Sequence, residues 1–202
     1  MFTGIIQALG TIHGATPQRG DLRLEIHAPG MDFSDVKLGD SIAVNGVCLT
    51  AIEQDSESFV VDVSRESLDC TVGLDQVGLV VNLEKAMRPI DRLGGHLVSG
   101  HVDGVGEVVR FEQVGDCYEL VVRAPADLAR YFAAKGSATI NGVSLTTNRV
   151  EGDCFSINLI PHTLQETNLK YLKAGSKVNL EVDLIARYCE RLLSFRLTLD
   201  QA

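Results

Sequence analysis

Apolar and polar residues alternate along most of this chain. Leu22-Arg23-Leu24-Glu25-Ile26 and Val178-Asn179-Leu180-Glu181-Val182 both carry the two-residue period of a half-buried strand. Further short runs rich in strand-forming residues fall at 41–44, 59–63, 79–83, 106–111, 118–122 and 154–160. Turn formers separate them: Arg19-Gly20-Asp21, Gly39-Asp40, Asn45-Gly46, Val114-Gly115-Asp116, Asn141-Gly142 and Glu151-Gly152-Asp153. Strands this short at this spacing predict an all-β fold, sandwich or closed barrel. Short helical turns are expected at 31–36 and 125–135. The end of the chain changes period. Ile185, Tyr188, Leu192 and Phe195 follow 3-4-3 spacing, with Arg187, Glu190, Arg191 and Arg196 off the stripe. That is an amphipathic helix over 184–197, which either packs on its own barrel or joins a self-association bundle.

The pattern occurs twice. Asn45-Gly46-Val47-Cys48-Leu49-Thr50 returns 96 residues later as Asn141-Gly142-Val143-Ser144-Leu145-Thr146. At the same offset Phe2-Thr3-Gly4-Ile5-Ile6 aligns with Val98-Ser99-Gly100-His101-Val102, and Ser67-Leu68 with Thr163-Leu164. One residue further on, Val81-Asn82-Leu83-Glu84 matches Val178-Asn179-Leu180-Glu181. A repeat of this length exceeds a solenoid unit, roughly 20–50 residues, and fits a small domain. The chain is therefore read as a first copy over 1–96, a second over 97–183, and a helix with its tail over 184–202. Residues 91–96 form the linker. The fold expected is two similar small Greek-key β-barrels in tandem plus a C-terminal α-helix.

Composition narrows the function classes. The 202 residues carry a net charge of −9 and no dense basic run, which argues against nucleic acid or an anionic membrane as partner. No apolar run reaches the length of a membrane span, and the N-terminal sequence lacks the pattern of a signal peptide. Five widely spaced cysteines, with no Cys-x-x-Cys, read as reduced thiols of a cytoplasmic protein.

Both Asn-Gly pairs suit tight turns with φ > 0, but a turn does not explain why Leu and Thr persist after each. Gly94-Gly95-His96-Leu97-Val98-Ser99-Gly100-His101 places two histidines among glycines, as where backbone approaches a ligand closely. Neither a zinc site nor a phosphate loop has matching spacing. His101 replaces Ile5, and Ser144 replaces Cys48, so the copies differ where chemistry is plausible. No Gly-x-Ser-x-Gly elbow surrounds Ser144. Lys135 is read as closing a helix, and Asp183 as ending the last strand.

These motifs, together with Met1-Phe2-Thr3-Gly4-Ile5 and Ile160-Pro161-His162-Thr163-Leu164, resemble the riboflavin synthase family, built of tandem lumazine-binding barrels. The likeness runs from Met1 to the C-terminal helix. It implies that two molecules of 6,7-dimethyl-8-ribityllumazine dismutate, one giving a four-carbon unit to the other. The products are riboflavin and 5-amino-6-ribitylaminouracil, with no cofactor and no metal. It also implies a homotrimer, sites shared between the first barrel of one subunit and the second of a neighbour, and scope for docking with lumazine synthase. By position, the first pocket is expected to comprise Gly4, Ile5, Ile6, Cys48, Leu49, Thr50, Asp62, Val63, Ser64, Arg65, Glu66 and Ser67. The second is expected to comprise Gly100, His101, Val102, Ser144, Leu145, Thr146, Asn158, Leu159, Ile160, Pro161, His162 and Thr163. Lys135 matches the family lysine that reaches a ligand on another subunit. Phe2, Cys48, His101, Ser144, Thr146 and Asp183 match positions associated with catalysis. His101 is expected to shuttle protons, Ser144 and Thr146 to polarise the acceptor ring or deliver water, Cys48 to touch the donor ring, and Asp183 to orient one of them. A different class of relative, a non-catalytic lumazine-binding antenna, is expected to lose its second-half motifs, which this chain keeps. A purely structural double barrel is expected to bind no lumazine.

Overall fold

The computed structural model describes residues 1–199, and of 196–199 the backbone alone. The first half forms β1 (Ala8–Gln18), β2 (Asp21–His27), β3 (Ser41–Val44), β4 (Val47–Gln54), β5 (Ser58–Val63), α1 (Arg65–Cys70) and β6 (Val80–Lys85). The second forms β7 (Gly104–Val114), β8 (Cys117–Arg123), β9 (Ser137–Ile140), β10 (Val143–Glu151), β11 (Cys154–Leu159), α2 (Pro161–Glu166) and β12 (Lys177–Val182), and α3 (Leu184–Leu199) follows. Each half closes into an antiparallel barrel, β1-β2-β5-β4-β3-β6 and its counterpart β7-β8-β11-β10-β9-β12. Closure leaves neither sheet with a free edge.

Alternation explains the two cores. In β2, Leu22, Leu24 and Ile26 point inward while Asp21, Glu25 and His27 face solvent. Phe59 and Val61 join them in one barrel; Phe155, Ile157 and Leu159 fill the other. Even the irregularities repeat: β1 slips register between Ile12 and Gly14, and β7 between Val108 and Arg110.

Two expected helical turns differ. Over 31–36 no helix forms; the Asp32 side chain captures the Ser34 amide at 2.9 Å, and a local bond of this kind competes with helix. Over 125–135 only Ala129–Tyr131 makes a 3-10 turn. Phe132 leaves it to stack on Phe155 with ring centres 4.2 Å apart, and the Lys135 amide donates to Thr147 O. Core stacking and strand pairing outweigh the local helical preference there.

The barrels are joined at their turns. Asn45 and Gly46, like Asn141 and Gly142, all have positive φ, as the Asn-Gly pairs required. A Cβ on Gly46 would sit 2.7 Å from Gly142 N, so these glycines also permit the two turns to touch. Around them lies a buried amide network. Asn82 Nδ2 donates to Asn141 O and Asn168 Oδ1; Asn168 Nδ2 donates to Asn45 Oδ1 and Val80 O; Asn179 Nδ2 donates to Asn45 O. Buried amides paired this fully fix one relative placement of the barrels.

On α3 the stripe Ile185, Tyr188, Leu192 and Phe195 is exposed, 56–71% for each. The helix is tied to its barrel by polar residues instead: Arg187 pairs with Asp103, and Glu190 with Arg130 and Tyr131. The Arg196 side chain and residues 200–202 lie outside the described residues. No helix among the described residues is long and apolar enough to cross a membrane.

Candidate functional site

The segments that precede each barrel cross over. Phe2 and Val98 pair as antiparallel strand residues, with N···O distances of 2.7 and 3.1 Å. Beyond that pairing, Gly4 O accepts from the Ser144 amide of the second barrel at 2.8 Å. Gly100 O accepts from the Cys48 amide of the first barrel, also at 2.8 Å. Ile6 packs on the second core and Val102 on the first. The grouping expected from the repeat is thus exchanged: Gly4, Ile5 and Ile6 belong beside Ser144, and Gly100, His101 and Val102 beside Cys48. A repeat alignment keeps each loop with its own copy and carries no information about this exchange.

Two buried glutamates hold the crossing loops. Glu84 on β6 accepts from the Thr3 amide and hydroxyl at 2.7 Å and from the Gly4 amide at 2.9 Å. Glu181 on β12 accepts from the Ser99 amide and hydroxyl at 2.6 and 2.7 Å and from the Gly100 amide at 3.0 Å. Burial raises both carboxyl groups above the ordinary glutamate value, and the donors of Thr3 and Gly4, or Ser99 and Gly100, pull the other way. Neither residue was singled out as functional in the sequence, although both lie in its Val-Asn-Leu-Glu repeat.

The second barrel carries a polar cluster. His96 Nδ1 lies 2.7 Å from Ser144 Oγ, and its Nε2 lies 3.2 Å from Thr139 Oγ1. With Ser144 donating to Nδ1, the Nε2–H faces the Thr139 hydroxyl. Burial holds His96 below the usual histidine value, and the charge of Asp183 pulls it back up. A neutral imidazole bonded to a serine is an acceptor for that serine's proton. Gly95 makes room for it: a Cβ there would lie 2.1 Å from Thr3 O and 2.8 Å from Ser144 Oγ. The serine's partner is His96, while His101, the residue expected to shuttle protons, is exposed and its amide donates to Ser99 Oγ at 3.3 Å. The Gly94-Gly95 pair before it was the available signal.

The first barrel has no such cluster. By the repeat, Ser144, Thr139 and Asp183 correspond to Cys48, Ala43 and Ala86, and His96 falls before Met1. Ala43, Cys48 and Ala86 pack with Phe2 and Val98 in an apolar group, and Phe2 is fully buried. Phe2 thus lies directly behind Cys48.

The remaining expected residues divide by strand geometry. Thr50 and Thr146 are exposed on the same strand faces as half-buried Cys48 and Ser144, whereas Leu49, Leu145, Val63 and Leu159 point into the cores and can offer a ligand only backbone. Asp62 on β5 is exposed, Ser64 caps α1 by accepting from the Ser67 amide, and Arg65, which pairs with Asp69, and Glu66 are exposed. In the second barrel Asn158, Ile160, Pro161 and His162 are exposed and Thr163 is half-buried at the start of α2. Exposed Lys135 has φ +67, where the first barrel has Gly39 at +95. A lysine kept in a glycine conformation is a strained position, a feature associated with functional sites. Beside Ile5 lies a cleft of about 830 Å³, lined by the ion-paired Asp35, Lys85, Arg88 and Asp91 and by Ser41.

The lumazine binding domain profile matches residues 3–86 and 99–183, one match per barrel. Riboflavin synthase of Photobacterium phosphoreum is 47% identical over 194 residues, covering 96% of this chain and 89% of that protein. The Bacillus subtilis (strain 168) riboflavin synthase is 43% identical with 96% and 90% covered, and the Brucella abortus (strain 2308) one 41% with 97% and 100%. Among solved structures, LumP complexed with riboflavin superposes with a TM-score of 0.82 at 29% identity over 90% of this chain and 99% of that one. LumP complexed with 6,7-dimethyl-8-(1'-D-ribityl) lumazine gives 0.80 at 28% identity, with the same coverage.

Proposed function

Because the chain belongs to the riboflavin synthase family and is a transferase of that kind, converting two 6,7-dimethyl-8-ribityllumazines to riboflavin and 5-amino-6-ribitylaminouracil, we propose that its barrels take unlike parts in the reaction. Each barrel holds one lumazine. The first pocket comprises Gly100 to Val102, Cys48 to Thr50 and Asp62 to Ser67; the second comprises Gly4 to Ile6, Ser144 to Thr146 and Asn158 to Thr163.

The observation that carries this reading is the Ser144–His96 pair at 2.7 Å, present in one copy only. Carbon–carbon bond formation requires loss of a proton from the C7-methyl of one lumazine and addition of a nucleophile to the other. Ser144, relieved of its proton by neutral His96, performs or relays one of these steps, while Asp183 keeps His96 basic enough to accept. Thr146 polarises the ring bound there. In the first pocket Cys48 touches the partner ring, and the exposed imidazole of His101 moves protons at its edge.

Within one chain Cys48 and Ser144 stand on opposite sides of the junction between the barrels. From β4 to β10 the hydrogen bonds run Cys48 to Gly100, Val98 to Phe2 and Gly4 to Ser144. Three strand spacings separate Cys48 from Ser144 by about 14 Å. That separation favours face-to-face lumazines held by the first barrel of one chain and the second of another. The exposed stripe of α3 supplies an apolar surface for a homotrimer, and Lys135 then reaches the ligand of the neighbour. Holding both reactants makes the step effectively unimolecular, which removes about 7–11 kcal/mol of barrier. Five free thiols suit a reducing compartment such as the cytoplasm.

Incubation with the lumazine alone tests the reading. One riboflavin should form for every two lumazines consumed. Stoichiometric binding without riboflavin would make the chain a lumazine carrier instead.

A further inference from the structure

The crossing loops give the two buried glutamates a task beyond their own barrels. Glu84 belongs to the first barrel's closing strand, yet the loop it holds ends on Ser144 of the second. Glu181 belongs to the second barrel's closing strand, yet its loop ends on Cys48 of the first. The correspondence extends to detail. The Thr3 hydroxyl donates to Glu84 and accepts from the Ile5 amide at 3.2 Å; the Ser99 hydroxyl donates to Glu181 and accepts from the His101 amide at 3.3 Å. Each clamp thus fixes three donors and the residue that faces the opposite pocket. Gly4 and Gly100, with φ +75 and +78, turn their carbonyls towards the Ser144 and Cys48 amides. Neither loop has room to shift: a Cβ on Gly4 would lie 2.5 Å from Ser144 Cβ, and one on Gly100 2.7 Å from Cys48 Cβ.

We propose that Glu84 and Glu181 are positioning residues acting crosswise. Glu181 of the second barrel sets the geometry of the first barrel's lumazine pocket, and Glu84 of the first sets that of the second. The proposal rests on the function above only in naming lumazine as the occupant; the crossing itself is independent of it. A carboxylate suits the task because its two oxygens accept all three donors at once. A glutamine keeps one accepting oxygen and turns an NH₂ towards a donor.

Amide hydrogen exchange on the full-length, unliganded protein separates this from a merely structural role. In Glu181→Gln the Cys48 amide should exchange about ten- to hundredfold faster while Ser144 stays near its wild-type rate; Glu84→Gln should reverse the pattern. Loss of protection first in the variant's own barrel, or equal loss at both amides, would overturn the proposal. Should either glutamine variant fail to fold, Ser99→Ala and Thr3→Ala remove one clamp bond each and should show the same crossed pattern, weaker. In steady-state turnover both glutamine variants should raise the KM for lumazine several-fold; an unchanged KM alongside crossed exchange would overturn the part concerning ligand geometry. Wild-type turnover in parallel tests the functional reading separately, since its absence would leave the exchange pattern as it stands.

Discussion

Replacing His96 by glutamine isolates the proton acceptor from the scaffold. Glutamine can still reach Ser144 through its amide oxygen but cannot take up a proton near neutral pH. General-base contributions of this kind are worth about 10²- to 10⁴-fold in rate, or about 3–5 kcal/mol of barrier. The cost to the fold is smaller. The group left without its partner is the Thr139 hydroxyl, which sits 3.2 Å from His96 Nε2 in a residue 1% exposed. One unmet buried hydroxyl costs about 1–2 kcal/mol, against a stability of about 5–15 kcal/mol for a typical domain. The variant should therefore fold, bind lumazine with little change in KM, and lose at least about a hundredfold in kcat, read from riboflavin absorbance beside a thermal melt. A kcat within about threefold of wild type, in a variant shown to be folded, would refute the base assignment.

Further consequences follow from the same geometry. Since burial lowers His96 and Asp183 opposes that, the acid limb of kcat/KM should lie below the ordinary histidine value of 6.5, and Asp183→Asn should move it lower still; an upward shift in the pH profile would contradict the arrangement. Asn168→Ala removes two donated bonds and one accepted bond between the barrels, all of 2.9 Å, and should cost about 2–4 kcal/mol in urea unfolding. Gly95→Ala would drive a methyl into Thr3 O and should destabilise by about 2 kcal/mol or more. Gly94→Ala, with Ile5 Cγ1 at 3.4 Å, should be near neutral in the same thermal-shift assay.

The barrels were readable in the sequence because alternation and turn chemistry are local, and because the Asn-Gly pairs mark both β3–β4 and β9–β10 turns. The C-terminal helix was readable for the same reason. What the sequence hid is tertiary. The exchange of Gly4 and Gly100 loops arises from pairing across the two-barrel junction, and a self-alignment assigns each loop to its own copy. His96 stood out among the glycines, but its pairing with Ser144 is a tertiary contact, and no residue of the first copy aligns with it to mark it as a difference between copies. Glu84 and Glu181 looked like the polar members of alternating strands; only burial and three converging donors give them a role. Over 125–135 the helical turn expected gives way to a single 3-10 turn because Leu128 and Phe132 are both drawn into the second core.

The central claim is that one lumazine sits on the first barrel of one chain and its partner on the second barrel of another. Thr50→Trp and Thr146→Trp each place a bulky side chain on an exposed strand position beside Cys48 or Ser144, and so block one pocket with little burden on the core. Each variant alone should be inactive. After the two are unfolded and refolded together, random assembly should restore about a quarter of the wild-type sites, because each site then draws on two chains. Riboflavin formation at that level is the expected result; a mixture as inactive as its components would contradict the claim.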